Sequence, residues 1–195
     1  MKTSVSSYSY HRLLNKGEMD LFQVMDKTKE FGFDAIEFVE FTAPEGKTQL
    51  EFAAQLRAYA EKIGLGIASY TIGANFLQDD VAAEVARLKG EVDIAAVLGV
   101  PVMRHDIFSR YPDSYTGVKT FQAVLPIIAP AIREVSEYAA SKGIITMSEN
   151  HGFIMQDADR LLQLYTENVE HLVALPYELR VAVLERAVIV LNENT

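Results

Sequence analysis

The chain contains no cysteine and no tryptophan among its 195 residues. Without a thiol, disulfides, thiolate metal centres and cysteine nucleophiles are all excluded, and a reducing, cytoplasmic compartment is the expectation. Long apolar runs are missing as well. The opening MKTSVSSYSYHRLLN has no uninterrupted apolar stretch of signal-peptide length, and no segment approaches the ~20 apolar residues of a membrane span. No membrane partner is therefore expected. Basic residues are in the minority, 18 Lys and Arg against 27 Asp and Glu, for a net charge of −9. A chain this acidic repels phosphate backbones instead of releasing their counterions, which argues against a nucleic-acid partner. Neither a P-loop, a G-x-S-x-G elbow nor an HExxH sequence occurs, so kinases, serine hydrolases and zincin proteases have no support.

What is present is the balance of a globular domain, 49% hydrophobic and 23% charged. One domain over residues 1–195 is the expectation, and at this length folding can bury roughly 70% of the unfolded surface. A repeated unit organises the chain. Four helical patterns each end in a glycine that runs directly into a short apolar segment: Gly32 before DAIEFVE, Gly64 before LGIASYT, Gly99 before VPVMRHD and Gly143 before IITMSEN. Glycine just past a helix takes the left-handed conformation without steric cost, so each marks a helix stop and a strand start. With an opening strand at Thr3–Tyr8, five strands are predicted, near 3–8, 34–39, 65–71, 101–105 and 144–149.

Helical spacing fills the intervals. Leu50, Ala53, Leu56, Ala60 and Ile63 recur at three- and four-residue steps, with Thr48 and Glu51 spaced as a capping box. Val81, Val85, Leu88, Val92 and Ala96 follow the same rule, as do Val124, Ile128, Ala131, Val135 and Tyr138. Pro126 and Pro130 predict that the first part of this last helix is kinked or belongs to a loop. A further helix is expected from Asp157, carrying Leu161, Leu164 and Val169. Phe22, Met25 and Phe31 read as core.

Strands alternating with helix-length connections make a parallel α/β sheet with helices outside, as a β/α barrel or a doubly wound sheet. The loops decide between them. No G-x-G-x-x-G follows the first strand, whereas polar and aromatic residues follow every strand, which is how a β/α barrel assembles a site at the C-terminal ends of its strands. On this reading Tyr8, His11, Glu37, Arg104, His105, Asp106, Glu149, Asn150 and His151 gather at one mouth. Tyr8, with Tyr10 and His11, offers an aromatic wall for a sugar, and at least one of the two tyrosines is expected to pack under the first helix. Glu37 and Glu40 face opposite sides of an extended segment, and Glu37 is the one expected to look inward. Arg104 and Asp106 beside His105 can grip hydroxyls or a phosphate.

YSYHRLLNKGEM, FGFDAIEFVEF, YTIGANF, MRHD and TMSENHGF, in this order, resemble the sugar phosphate isomerase/epimerase group of the xylose-isomerase-like barrels over Lys2 to Tyr165. The resemblance implies a metal-dependent β/α (TIM-type) barrel that moves a proton between adjacent carbons of a small sugar, polyol or sugar phosphate. It also implies a divalent ion, Mn, Mg, Co or Zn. Of the family's four metal ligands only one maps here, as Glu149, which with His151 is the catalytic candidate; Asn150 is a substrate-binding candidate. The expected object is a partial barrel, residues 1–169, followed by an atypical tail, 170–195, that could be a hairpin or one apolar helix. About 30 residues per βα unit leaves no room for three more units. A truncated or frame-disrupted member and a minimal barrel both remain open. Open strand edges predict self-association, possible as a homo-oligomer. Two functions follow: an isomerase or epimerase, or a catalytically inactive barrel that binds a polyol or self-associates. A DNA-repair endonuclease of the same superfamily is disfavoured by the charge.

Overall fold

The structure, a computed structural model, describes residues 2–148, 152–157, 159, 160 and 163–165. Five strands form one sheet: β1 (Ser4–Ser6), β2 (Ala35–Val39), β3 (Gly66–Ile72), β4 (Val102–His105) and β5 (Ile145–Met147). They pair in sequence order and every pair is parallel. A doubly wound sheet reverses its strand order at a switch point. No reversal occurs among the described strands, so the partial TIM-type barrel expected from sequence is the architecture found. Each strand starts one residue later than predicted, β3 runs one residue further, and β1 and β5 stop two residues short, at Ser6 and Met147. Tyr8 lies in a 3-10 turn over Ser7–Tyr10 that is capped by the Ser6 hydroxyl, and Glu149 with the tail 170–195 lies outside the described residues.

The helices are α1 (His11–Asn15), α2 (Leu21–Glu30), α3 (Gln49–Ile63), α4 (Val81–Leu98), α5 (Phe121–Ser141) and the single turn α6 (Gly152–Met155). Thr48 and Glu51 make the capping box, and Asp20 with Gln23 makes another at α2. Gly64 and Gly99 close α3 and α4 in the left-handed region, at φ 66° and 74°. The loop alternative for the start of α5 is overturned, because the helix runs unbroken through both prolines. Proline removes the donor to the carbonyl four residues back. Those carbonyls belong to Gln122 and Pro126, both exposed residues that water can serve. A turn of helix at α6 precedes the point where the last helix was expected; Leu164 is buried there, and Leu161 and Val169 lie outside the described residues.

The core fills the space between the sheet's outer face and the helices. Phe38, Tyr70 and Met103 are neighbours along one register row, all fully buried. They cluster with Phe41 from the loop after β2 and with Phe52, Leu56, Leu88 and Val135 from the helix layer. Phe31, expected in the core, is instead 64% exposed, and Leu50 of the α3 apolar stripe is 45% exposed. Both sit at helix ends where the 3.6-residue stripe has turned to solvent. This layer predicts a contrast in stability. Phe38→Ala is expected to cost about 3–5 kcal/mol, and Phe31→Ala no more than about 0.5, as read from urea unfolding.

Candidate functional site

The pairing of β2 with β3 slips by one residue. Ile36 lies opposite Ile67, but Glu37 lies opposite Ser69, so Ala68 is extra. Such an irregularity re-aims every later side chain on its strand. It turns Tyr70 outward, where its hydroxyl donates to Glu91 on α4 at 2.8 Å, and Thr71 inward. The inner face at the strand ends then carries two layers. Below, the Ser69 hydroxyl donates to the Glu37 carboxylate at 2.9 Å. Above, Val39, Thr71, Arg104 and Met147 stand in one row across four strands. Arg104 forms an ion pair of 2.9 Å with Asp106, just beyond β4. The Thr71 hydroxyl oxygen is shielded from solvent and has no hydrogen-bond partner among the described residues.

His105 points the other way. It shares a row with Ile72, is 1% exposed, and packs edge-on to the Phe76 ring at 5.5 Å. Its Nδ1–H donates to the Asp106 carbonyl at 2.8 Å. Strand alternation therefore brings Arg104 and Asp106 together and sets His105 behind them. Glu40 also lies on the outer side, with its carboxylate 3.9 Å from Arg87 on α4, opposite in direction to Glu37. Arg87 donates to Glu84 and to the Gly73 carbonyl, and Glu84 accepts the Asn75 N–H at 2.8 Å. This network pins the loop after β3. Burial works against the Glu84 charge, yet Arg87 and the Asn75 N–H hold its carboxyl below the ordinary range. Burial pushes Glu91 upward.

At the end of β1, Tyr8 is 62% exposed and stacks on His11 with ring centres 4.6 Å apart and planes 13° from parallel. The His11 Nδ1–H donates to the Tyr8 carbonyl at 2.8 Å, which fixes the pair. Tyr10 packs against the core instead.

Sequence reasoning missed a cleft between the loops after β3 and β4. A hollow of about 430 Å³ is lined by Asn75, Ser109, Arg110, Tyr111, Pro112 and Asp113. A second, of about 180 Å³, adjoins it at Pro112 and includes Tyr115. The usable signal was length: the connection from β4 to α5 runs from 106 to 120, 15 residues, and unstructured loops that long are usually functional.

Glu149, Asn150 and His151 lie outside the described residues. Among the described residues no three His, Asp or Glu side chains come together as a metal site would require. Asp106 is held by Arg104, Glu37 by Ser69, and His105 faces the helix layer. Mg or Mn needs about six ligands and Zn about four, and this donor set fits neither.

The model of the xylose isomerase-like TIM barrel family matches residues 25–171. The chain belongs to that family. Its fold is that of solved barrels at low identity. D-psicose 3-epimerase from Clostridium cellulolyticum H10 is 18% identical with a TM-score of 0.66, over 86% of this chain and 60% of that one. A xylose isomerase domain protein from Planctomyces limnophilus is 16% identical with a TM-score of 0.59, over 86% and 57%. A protein from Anabaena variabilis ATCC 29413, described as a sugar phosphate isomerase/epimerase, is 19% identical with a TM-score of 0.60, over 86% and 61%. This xylose isomerase-like chain thus spans about six tenths of the length of these three structures. No curated protein sequence matches it. No described helix is long and apolar enough to cross a membrane.

His105 gives a pH prediction for this barrel. Burial, against the weaker pull of its bond to Asp106, pushes the imidazole below its ordinary 6.5. The unfolded chain then binds the proton more readily than the folded one, so stability is full above about 6.5 and declines as pH falls toward the lowered value. Urea unfolding at pH 7 and pH 5 is expected to show a smaller loss in His105→Gln than in the parent. Glu91, raised in the fold, contributes the opposite slope to both proteins and cancels in the difference. Equal losses would show that folding leaves the proton affinity of His105 unchanged.

Proposed function

We propose that the inner face at the strand ends binds a small sugar or polyol, and that the chain carries the substrate-gripping part of an isomerase or epimerase. The observation that supports this best is the meeting of Glu37 with Ser69, the Thr71 hydroxyl, and Arg104 with Asp106 on one face of adjacent parallel strands. Sugar hydroxyls both donate and accept, and this set supplies both. Glu37 accepts from a hydroxyl, Arg104 donates to an oxygen or to a phosphate, and Asp106 holds the guanidinium in place. The Thr71 hydroxyl lies in the same layer and has no partner among the described residues. Tyr8 stacked on His11 supplies an exposed ring for the apolar side of a sugar. His105 is a positioning residue: its bond to the Asp106 carbonyl fixes the turn that carries Asp106.

Proton transfer between adjacent carbons is assigned to Glu149 with His151, with Asn150 binding substrate, on the strength of the family motif. The same motif gives Glu149 to a divalent ion, Mn, Mg, Co or Zn, and the described donors do not complete such a site. That donor set also favours a second reading, in which the barrel binds a polyol without turnover or self-associates. The β1 and β5 edges, each paired on one side only among the described residues, are where self-association would occur.

Calorimetry with D-fructose tests the proposal. Binding in the millimolar range is expected, weakened about tenfold or more in Glu37→Gln, the loss of a hydrogen bond to a charged group. Thr71→Val is expected to weaken binding while leaving stability equal or higher, because it removes a buried hydroxyl that has no partner among the described residues. Isomerisation followed by NMR and lost in Glu149→Gln supports the enzyme; binding without turnover supports the second reading. Binding indifferent to both Glu37→Gln and Thr71→Val places the sugar elsewhere and sinks the proposal.

A further inference from the structure

The two hollows lie between the loops after β3 and β4, and both loops are held in place. The long loop after β4 folds onto the loop after β3, the Phe76 N–H donating to the Ile107 carbonyl at 2.8 Å. From below, Glu84 and Arg87 hold the backbone at Asn75 and Gly73. Asn75 Oδ1 accepts the Leu77 N–H at 3.1 Å, and its amide NH₂ makes no hydrogen bond among the described residues. Along the opposite wall runs a chain of rings. Buried Phe108 lies 5.7 Å from Tyr111, and Tyr111 lies 5.7 Å from Tyr115 at a tilt of 32°. A turn with the Tyr115 N–H on the Pro112 carbonyl, and the Tyr115 hydroxyl on the Val118 carbonyl, fix the last ring. Tyr111 lines the larger hollow and Tyr115 the smaller.

The lining selects the ligand. Arg110 and Asp113 share the larger hollow and neither makes an ion pair with a described residue, so their charges offset each other across the site. A free anion would meet Asp113 and a cation Arg110, whereas a neutral polyol can use both, with Asn75 and Ser109. Tyrosine rings suit the C–H face of a sugar. About 430 Å³ lies within the range of small-molecule sites, and the adjoining hollow extends it past one ring.

We infer that the loops after β3 and β4 form an outer subsite for a neutral saccharide, with Tyr111 and Tyr115 as stacking faces, so that the chain takes a disaccharide or other glycoside in preference to a free monosaccharide. This rests on the reading above for the inner sugar and extends it outward. Calorimetry on the full chain with maltose, cellobiose and sucrose, against D-glucose and D-fructose, decides it. At least one disaccharide should bind tenfold or more tighter than either monosaccharide. Tyr111→Ala should remove that advantage, Tyr111→Phe should keep it, and Asp113→Asn should reduce it. The inference is overturned if no disaccharide exceeds the monosaccharides, or if the advantage survives Tyr111→Ala. D-fructose binding sensitive to Thr71→Val without any disaccharide advantage overturns the outer subsite alone. Disaccharide binding sensitive to Tyr111→Ala but indifferent to Thr71→Val and Glu37→Gln confirms the outer subsite and overturns the inner one.

Discussion

A single extra residue in β3 sets what the sheet offers to either side. Because side chains alternate along a strand, the slip at Ala68 exchanges the faces of everything that follows it. Tyr70 goes to the helix layer, where burial and the neighbouring Glu91 push its phenol far above the ordinary value, and its hydroxyl keeps a partner. Ser69 and Thr71 go to the inner face. Without the slip an aromatic ring would lie across the inner face and Ser69 would be buried among the helices. The core and the candidate site thus depend on the same irregularity.

The division of labour between the faces continues past the strand ends. On the outer side, the largely buried carboxylates of Glu84 and Glu91 form a cluster with Arg87 whose bonds run to backbone groups of the β3 loop and to Tyr70. A buried charge is tolerated only when paired and hydrogen-bonded, and this cluster meets that condition. Its effect is positional: it holds one wall of the cleft at Asn75. His105 does the same for the next loop through the Asp106 carbonyl. On the inner side the groups are engaged only in part. Glu37 has one donor, and the Thr71 hydroxyl has none among the described residues. Unmet hydrogen-bonding capacity on one face, and satisfied capacity on the other, is the pattern expected where a rigid scaffold presents a site.

Much of the scaffold was legible because it depends on local rules. Gly64 and Gly99 end helices for a conformational reason that a sequence reader can apply directly, and the Thr48 and Glu51 capping box is a spacing. The order of the five strands followed from helix-length connections. What was not legible depends on non-local geometry. Nothing in YTIGANF marks Ala68 as extra, so the facing of Ser69 and Thr71 could not be read. The grouping of Arg104, His105 and Asp106 as one grip ignored strand alternation, which sends the middle residue outward. Pro126 and Pro130 looked like breakers because their exposure could not be known. Arg110 and Tyr111 were hidden in a loop with no motif, although its length pointed to a function. Glu149, Asn150 and His151 lie outside the described residues.

The central claim is that the C-terminal ends of these parallel strands bind a sugar on the inner face of the sheet. Amide chemical shifts of the ¹⁵N-labelled chain, titrated with D-fructose, test it residue by residue. The account predicts saturable shifts concentrated at Glu37, Ser69, Thr71, Arg104 and Asp106, with little change at Gly66 and Val102 at the opposite ends of the same strands. Shifts confined to the N-terminal strand ends or to the outer helix faces, with those five amides unmoved, would contradict it.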